Sequence, residues 1–212
     1  MTGRTTKADA RREEILKAAG ACFREKGLRG ASISDICTRL KISPGHLYYY
    51  FKSKDAIVEA LLDQMREAQM VDIDRELAAS PGVMDFFLSG EYVQRVKMPE
   101  EVYLDITNVW EVYAEAERRP KSRIAQLVHD HWGAADAVLR KRIEADQAVG
   151  RIRADADVEV VLTSMCMAIV TMQMARFADP NFSAERYVTT IRHILEPFAV
   201  QPAASARARR RA

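Results

Sequence analysis

Residues 42–54 read ISPGHLYYYFKSK, and this stretch sets the organisation of the whole N-terminal segment. Ser43 followed by Pro44 is a typical helix start, because Ser can cap the first free N–H groups and Pro needs no hydrogen bond there. Placed at 100° per residue, Leu47 and Phe51 share one face of the resulting helix. The other positions point outward or lie between the two faces: Gly45, His46, Tyr48, Tyr49, Tyr50 and Lys52. We therefore predict a short helix with a buried side and a tyrosine-rich exposed side.

A second short helix is predicted directly before this one. Ser32 with Asp35 three residues later fits a capping box, with Asp in place of the usual Glu or Gln. Its apolar face comprises Ile33, Ile36, Cys37 and Leu40. Only residues 41–43 separate the two helices, and a longer helix predicted from Thr6 to Lys26, which Gly27 should end, precedes them. Two short helices joined by a three-residue turn are the layout of a helix-turn-helix, whose second helix reads the major groove of DNA.

The chain as a whole is predicted to be all-α, with about nine helices, because apolar residues recur at helical spacing and no strand pattern is present. Ser53 should cap a fourth helix that joins the helix-turn-helix to a larger helical region. Five more helices are predicted between the sequence breakers, over residues 83–96, 99–118, 121–148, 157–177 and 183–198. The predicted domains are a DNA-binding domain at 1–53, an effector-binding and dimerisation domain at 54–200, and a disordered basic tail at 201–212.

The formal net charge of +2 hides an uneven distribution of charge along the chain. Residues 1–60 hold 12 Lys and Arg against 7 Asp and Glu, whereas residues 61–206 hold 16 against 23. A basic N-terminal segment on an acidic body indicates that one end of the protein meets a polyanion. The Arg-rich end, ARARRRA at 206–212, either adds DNA affinity that is independent of sequence or is simply solvated.

Targeting and cysteine patterns favour a cytoplasmic, nucleoid-associated bacterial protein. The N-terminus is polar and charged, so no secretory signal is expected. The longest uncharged run, residues 160–175, is shorter than the ~20 residues that a membrane-spanning helix needs. The three cysteines, Cys22, Cys37 and Cys166, lack the spacing of a disulfide framework or a zinc site.

The segment ASISDICTRLKISPGHLYYYFKSKDAIVEALL, residues 31–62, closely resembles the DNA-binding signature of the TetR family of transcriptional regulators. The resemblance extends over about residues 10–62 and is most recognisable in LYYYFKSK at 47–54. It implies DNA contacts at the positions of Ser32, Ser43, Gly45, Tyr48, Tyr49 and Lys54. The exposed helix face and its flanks add Pro44, His46, Tyr50 and Lys52 as candidates. Tyr50 and His46 depart from the family's usual His and small residue, which leaves the operator sequence open.

This resemblance implies a homodimeric repressor that binds a palindromic operator and is released by a small apolar or amphipathic effector. One helix-turn-helix reads about half a palindromic site, so two copies are needed. We expect residues 157–177, which are apolar around nearly the whole circumference, and 183–198 to form the dimer. The alternatives are that the tyrosines merely cover a helix junction, that 157–177 is a buried helix of a monomer, or that the protein is a nucleoid- or division-type DNA binder without an effector.

The effector is expected among the middle helices. The candidates, chosen for large or adaptable side chains, are Met84, Phe87, Tyr103, Trp110, Tyr113, His131 and Met167. Such residues also build ordinary hydrophobic cores, so the alternative for each one is a packing role without ligand contact. No metal is expected, because His129 and His131 lie on different sides of a helix. No cofactor and no enzymatic activity are expected, because no phosphate-binding or catalytic motif is present.

Overall fold

The computed structural model describes residues 6–88, 106–179 and 181–200 of the chain, and these are predominantly helical. The helices are α1 Lys7–Gly30, α2 Ile33–Leu40, α3 Pro44–Tyr50, α4 Lys54–Ala79, α5 Val83–Leu88, α6 Ile106–Arg118, α7 Arg123–Ala148, α8 Val158–Ala178 and α9 Ala184–Leu195, followed by a 3-10 turn at Glu196–Phe198. The described residues contain no strand, only an isolated bridge between Ile152 and Ala199. The all-α prediction is confirmed. Within these ranges every helix is too short or too polar to traverse a bilayer.

Helix α1 differs from its prediction at the C-terminal end. Gly27 has φ +73° and ψ 162°, a conformation that breaks the helix where the sequence indicated, but one further turn follows as far as Gly30. Glycine suits this position because a positive φ is strained for other residues. The helices predicted over 83–96 and 99–118 fall partly outside the described residues, and their described parts are helical.

The predicted N-caps are present. Ser32 and Asp35 form a reciprocal capping box, in which the Asp35 N–H donates to Ser32 Oγ at 3.2 Å and the Ser32 N–H donates to Asp35 Oδ2 at 2.8 Å. Ser43 Oγ accepts from the His46 N–H at 3.2 Å, and Ser53 Oγ accepts from the Ala56 N–H at 3.1 Å. Each cap satisfies an N–H that has no partner inside its own helix. These serines therefore determine where the short helices begin.

The chain divides into two compact units. The first contains residues 1–71 and 98–133, and the second contains residues 72–97 and 134–212. The core of the first unit is built around the fully buried side chains of Ile15, Leu16, Phe23, Ile36, Leu47, Ile57 and Val112. The predicted domain division at residue 53 stays a prediction, because this grouping places α1, α2 and α3 in one unit with α6.

The second unit has its own core, and its described residues include one buried charge. Asp146 on α7 is 1% exposed; its Oδ2 accepts from the Val83 N–H at 2.6 Å, and its Oδ1 accepts from Arg151 Nη1 at 3.1 Å. A Cβ built on Gly82 would lie 2.7 Å from Asp146 Oδ2, so the glycine permits this approach. Asp146 thereby caps the start of α5 from another helix.

Replacing this carboxylate should destabilise the fold. Asp146→Ala leaves the buried Val83 N–H without its acceptor, and we expect a loss of about 2 kcal/mol in the free energy of unfolding. Urea denaturation followed by circular dichroism measures this. Asp155→Ala is the matched control, because Asp155 forms an exposed ion pair with Arg153 and its loss should leave stability nearly unchanged. Equal effects of the two substitutions would contradict the capping role.

Candidate functional site

Helix α3 presents an exposed aromatic surface over a buried base. Leu47 is fully buried and Phe51 is 3% exposed, whereas Tyr49 is 76% and Tyr48 is 44% exposed. The face division predicted from the helical wheel is therefore present. Neighbouring large aromatic side chains with this exposure on one short helix are typical of a surface that contacts a partner.

Contacts among the aromatic rings limit the motion of this surface. The Tyr49 and Tyr50 rings meet edge to face with centroids 5.0 Å apart, and the His46 ring lies 5.6 Å from that of Tyr50. Tyr50 is half-buried and packs against the core of the first unit. Tyr50 thus anchors the exposed rings of His46 and Tyr49 to the fold.

The start of α3 is exposed, and Gly45 leaves its backbone accessible there. Pro44, Gly45 and His46 are exposed, and a Cβ built on Gly45 would have no neighbour nearer than Ser43 Oγ at 4.0 Å. The fold itself therefore does not require glycine at 45. The absence of a side chain at this position lets a binding partner come close to the backbone of α3.

Lys54 has a structural role that the sequence did not reveal. Its ammonium group donates to the carbonyl oxygens of Leu28 at 2.8 Å and Ala31 at 3.0 Å, at the C-terminal end of α1. Lys52, in contrast, is exposed, and its Nζ reaches only the Tyr48 carbonyl at 3.4 Å. Lys54 therefore ties the start of α4 to the turn at residues 27–31, which we call the α1 turn.

Glu111 on α6 holds the same turn from the other side. Its Oε2 accepts from the Arg29 N–H at 3.1 Å, and a Cβ built on Gly27 would lie 2.9 Å from its Oε1. The sequence does not reveal this residue, because a single Glu on an amphipathic helix gives no sign of a partner 82 positions earlier. The bond joins α6 directly to the helix that precedes the helix-turn-helix.

Three of the predicted effector residues lie together, beside Glu111. Trp110 and Tyr113 meet edge to face at 5.6 Å, Tyr113 lies 6.3 Å from Trp132, and Trp132 lies 6.1 Å from His131. Burial raises the pKa of Tyr113, and a hydrogen bond with Trp132 offsets part of this rise. Trp110 is 42% exposed, so one end of the row is open to solvent. We call these four rings the aromatic row.

Two polar atoms have no hydrogen-bond partner among the described residues, namely His131 Nδ1 in the row and Arg66 Nε near it. Burial lowers the pKa of His131, and the positive charge of Arg66 lowers it further. The other end of the Arg66 guanidinium lies 3.6 Å from Asp63 Oδ1. Arg66 was not among the sequence candidates, because an Arg on a long helix usually faces solvent.

The remaining effector candidates occupy other positions. Met84 and Phe87 are buried in the core of the second unit, and Met167 on α8 is 61% exposed. Tyr103 lies outside the described residues. The assignment of these four residues to an effector site stays a prediction.

Cys166 has the environment of a packed thiol. Burial, followed by the charge of Asp136, raises its pKa to about 11, so little thiolate forms near neutral pH. The described residues contain no group of three or more His, Cys, Asp or Glu side chains that could hold a metal ion.

Comparison with known proteins agrees with this arrangement. The family described as "Bacterial regulatory proteins, tetR family" matches residues 15–61. The chain is 30% identical over 171 residues to the HTH-type transcriptional regulator UidR of Escherichia coli K12, covering 81% of this chain and 83% of UidR. It is 28% identical over 170 residues to the HTH-type transcriptional repressor NicS of Pseudomonas putida KT2440, covering 77% of each chain. The structure of Salmonella enterica GusR superposes with a TM-score of 0.71 at 29% identity, over 92% of this chain and 98% of GusR.

The fold and the exposed α3 surface define a DNA-binding transcriptional regulator of the helix-turn-helix class. The chain belongs to the TetR family. This is a family of transcriptional regulators. The predicted class of protein, a DNA-binding transcriptional regulator, is confirmed.

The position of Lys54 generates a stability prediction. Lys54→Met keeps the aliphatic stem but removes both hydrogen bonds to the α1 turn, so we expect a loss of about 1–2 kcal/mol in the free energy of unfolding. Chemical denaturation of the purified variant measures it. Lys52→Met is the control, because the Lys52 ammonium makes only one long contact and its loss should leave stability unchanged. Unchanged stability of Lys54→Met would show that its two bonds contribute nothing to the fold.

Proposed function

We propose that the protein is a homodimeric repressor that binds a palindromic operator through α3 and leaves it when a small effector binds. The observation that carries this proposal is the exposed surface of α3, where Tyr49 is 76% exposed on a helix whose other side is core. The transcriptional repressor NicS, a relative along most of the chain, supports the repressing sense.

In this proposal the base contacts come from α3, and the residues that flank it add further contacts to DNA. Tyr48, Tyr49 and His46 face the major groove, where hydroxyl and imidazole groups reach base edges and phosphates. The other contacts would come from Ser32, Ser43, Pro44, Gly45, Tyr50, Lys52 and Lys54. Ser32 and Ser43 would contact phosphate while they cap α2 and α3, because a hydroxyl that accepts from a backbone N–H can still donate. Lys54 would use its third N–H, since two already bind the α1 turn.

The proposed dimer interface lies on α8 and α9, in the second unit. Val160 and Met167 are 49% and 61% exposed and stand seven residues apart, on one face of α8. Ile194 on α9 is 46% exposed. Exposed apolar side chains aligned along one helix face are typical of a surface that a second copy covers. Pairing of both helices with their copies would give a four-helix interface and place two α3 helices on one operator.

In the proposed release of DNA, α6 connects the effector site with the α1 turn. Trp110 and Tyr113 belong to the aromatic row, and Glu111 between them binds the Arg29 N–H of the α1 turn. An effector that repositions the two rings must also act on Glu111, which lies within the same turn of the helix. Release follows only if the effector binds the DNA-incompetent arrangement more tightly.

Operator binding tests this proposal, with Gly45 as the probe. Fluorescence anisotropy on labelled DNA from upstream of the protein's own gene should show tight, competitor-resistant binding by the native chain. Gly45→Ala should retain or gain stability, since alanine favours helix and meets no neighbour, yet bind that DNA about tenfold more weakly because its methyl group separates backbone and DNA.

Gly133→Ala is the matched control, because Gly133 is also an α-helical glycine with nothing within 4 Å of a built Cβ. It should leave DNA affinity unchanged. Weak, sequence-indifferent binding by the native chain would reject the operator proposal in favour of a nucleoid-type role. Equal affinity of Gly45→Ala and the native chain would remove α3 from the interface.

Removing Glu111 tests the release route. Glu111→Ala should still bind both operator and effector, but the ratio between its effector affinities without and with DNA should fall by about fivefold or more, because the link to the α1 turn is lost. Paired titrations of effector into free protein and into the DNA complex give this ratio. Glu117→Ala, an exposed position on the same helix, is the control. Release of DNA by Glu111→Ala at the native effector concentration would show that coupling takes another path.

A further inference from the structure

The interior beside the aromatic row contains hydrogen-bonding groups that no described residue satisfies. Arg66 Nε lies on α4 and His131 Nδ1 lies on α7, and both atoms are buried without a partner among the described residues. A buried polar group left unsatisfied is destabilising, so a ligand that satisfies it recovers this free energy on binding. The charge of Arg66 acts on the His131 ring, so the two atoms lie near one another, and a pair of unsatisfied donors of this kind calls for a partner.

The chemistry of these two atoms determines what they can bind. An arginine Nε–H only donates, and its guanidinium keeps its positive charge at any physiological pH. The imidazole of His131 donates from Nδ1 in one of its neutral tautomers. A carboxylate, which only accepts and carries one negative charge, matches a single arginine whose Nε is buried and a neighbouring histidine. The native contact of Arg66 with Asp63, at 3.6 Å, lies at Nη2 and leaves Nε available.

The rings beside these donors determine the rest of the ligand. Trp132 contacts both His131 and Tyr113, and Trp110 lies at the far, partly exposed end of the row. Aromatic side chains in this arrangement offer flat apolar faces and edges to another ring. A bound ring would therefore extend along the row, away from the donors.

We propose that Arg66, His131 and the aromatic row bind a small organic acid, whose carboxylate pairs with Arg66 and His131 and whose ring lies against the tryptophans. This inference rests on the proposed function, since the bound acid would be the effector. It narrows the expected apolar or amphipathic effector to a ring-bearing monocarboxylate.

The two tryptophans of the chain, Trp110 and Trp132, both belong to the row, so tryptophan fluorescence reports on this site alone. We would titrate the full-length protein with phenylacetate, phenylacetamide and acetate, exciting at the red edge of tryptophan absorption. Phenylacetate should change the emission with a Kd about tenfold or more below that of phenylacetamide, because only the carboxylate forms charge-assisted hydrogen bonds. Acetate, which lacks the ring, should bind much more weakly than phenylacetate.

Substitutions distinguish the effect of the two hydrogen-bond donors on acid binding from the effect of positive charge alone. Arg66→Lys keeps the positive charge but removes the Nε–H, and it should abolish most of the preference for phenylacetate over the amide while amide binding stays the same. His131→Gln should weaken phenylacetate binding, whereas His129→Gln, an exposed position on the same helix, should not. Arg118→Lys, in an exposed ion pair, is the control for Arg66. Unchanged amide binding shows that a variant is folded.

Three results would overturn the inference: equal binding of the acid and the amide, an unaltered preference in Arg66→Lys, or no fluorescence response to any compound up to its solubility limit. Anisotropy on operator DNA with the same preparation, without added compound, keeps the two proposals apart. Loss of the carboxylate preference with intact operator binding rejects only the ligand class. Absence of operator binding with an intact carboxylate preference rejects only the regulatory proposal.

Discussion

The α1 turn at residues 27–31 is the constraint on which the DNA-binding half depends. Its backbone is held from two sides: the Lys54 ammonium binds the Leu28 and Ala31 carbonyls, and the Glu111 carboxylate accepts the Arg29 N–H. Gly27 makes this possible, since its positive φ redirects the chain and its missing side chain admits Glu111. Because Ser32 and α2 follow immediately, the position of this turn also sets the position of the helix-turn-helix.

The same turn gives the protein a short physical route between its two proposed sites. Glu111 lies between Trp110 and Tyr113 on α6, so the residues that would sense an effector and the residue that binds the α1 turn share one turn of one helix. A coupling of this kind needs no long chain of contacts. It requires only that the effector favours a different setting of α6, which then changes the geometry of the Arg29 bond.

The two proposed sites are unfavourable in opposite ways: one exposes apolar rings to water, and the other buries polar atoms. On α3, aromatic rings are exposed although burial would stabilise them, and Tyr50 anchors them through its half-buried ring. Beside the aromatic row, polar atoms of Arg66 and His131 are buried although hydration would stabilise them. Each arrangement is locally unfavourable in the isolated chain, and each is relieved by a partner of matching chemistry.

Much of this protein was determined by local sequence alone. Helical periodicity and the serine caps at 32, 43 and 53 predicted the helix-turn-helix, and the wheel of residues 44–52 separated Leu47 from Tyr49 correctly, because caps and faces depend on neighbours within one or two turns. The sequence also indicated Trp110, Tyr113 and His131, but only as large side chains at helical spacing. The tertiary structure alone decided that Glu111 meets Arg29, that Lys54 binds the α1 turn and that Arg66 lies beside His131. The hydrogen-bonded partners among these are separated by 23 to 82 positions in the chain. Packing of the whole core brings such pairs together, and no local sequence pattern does.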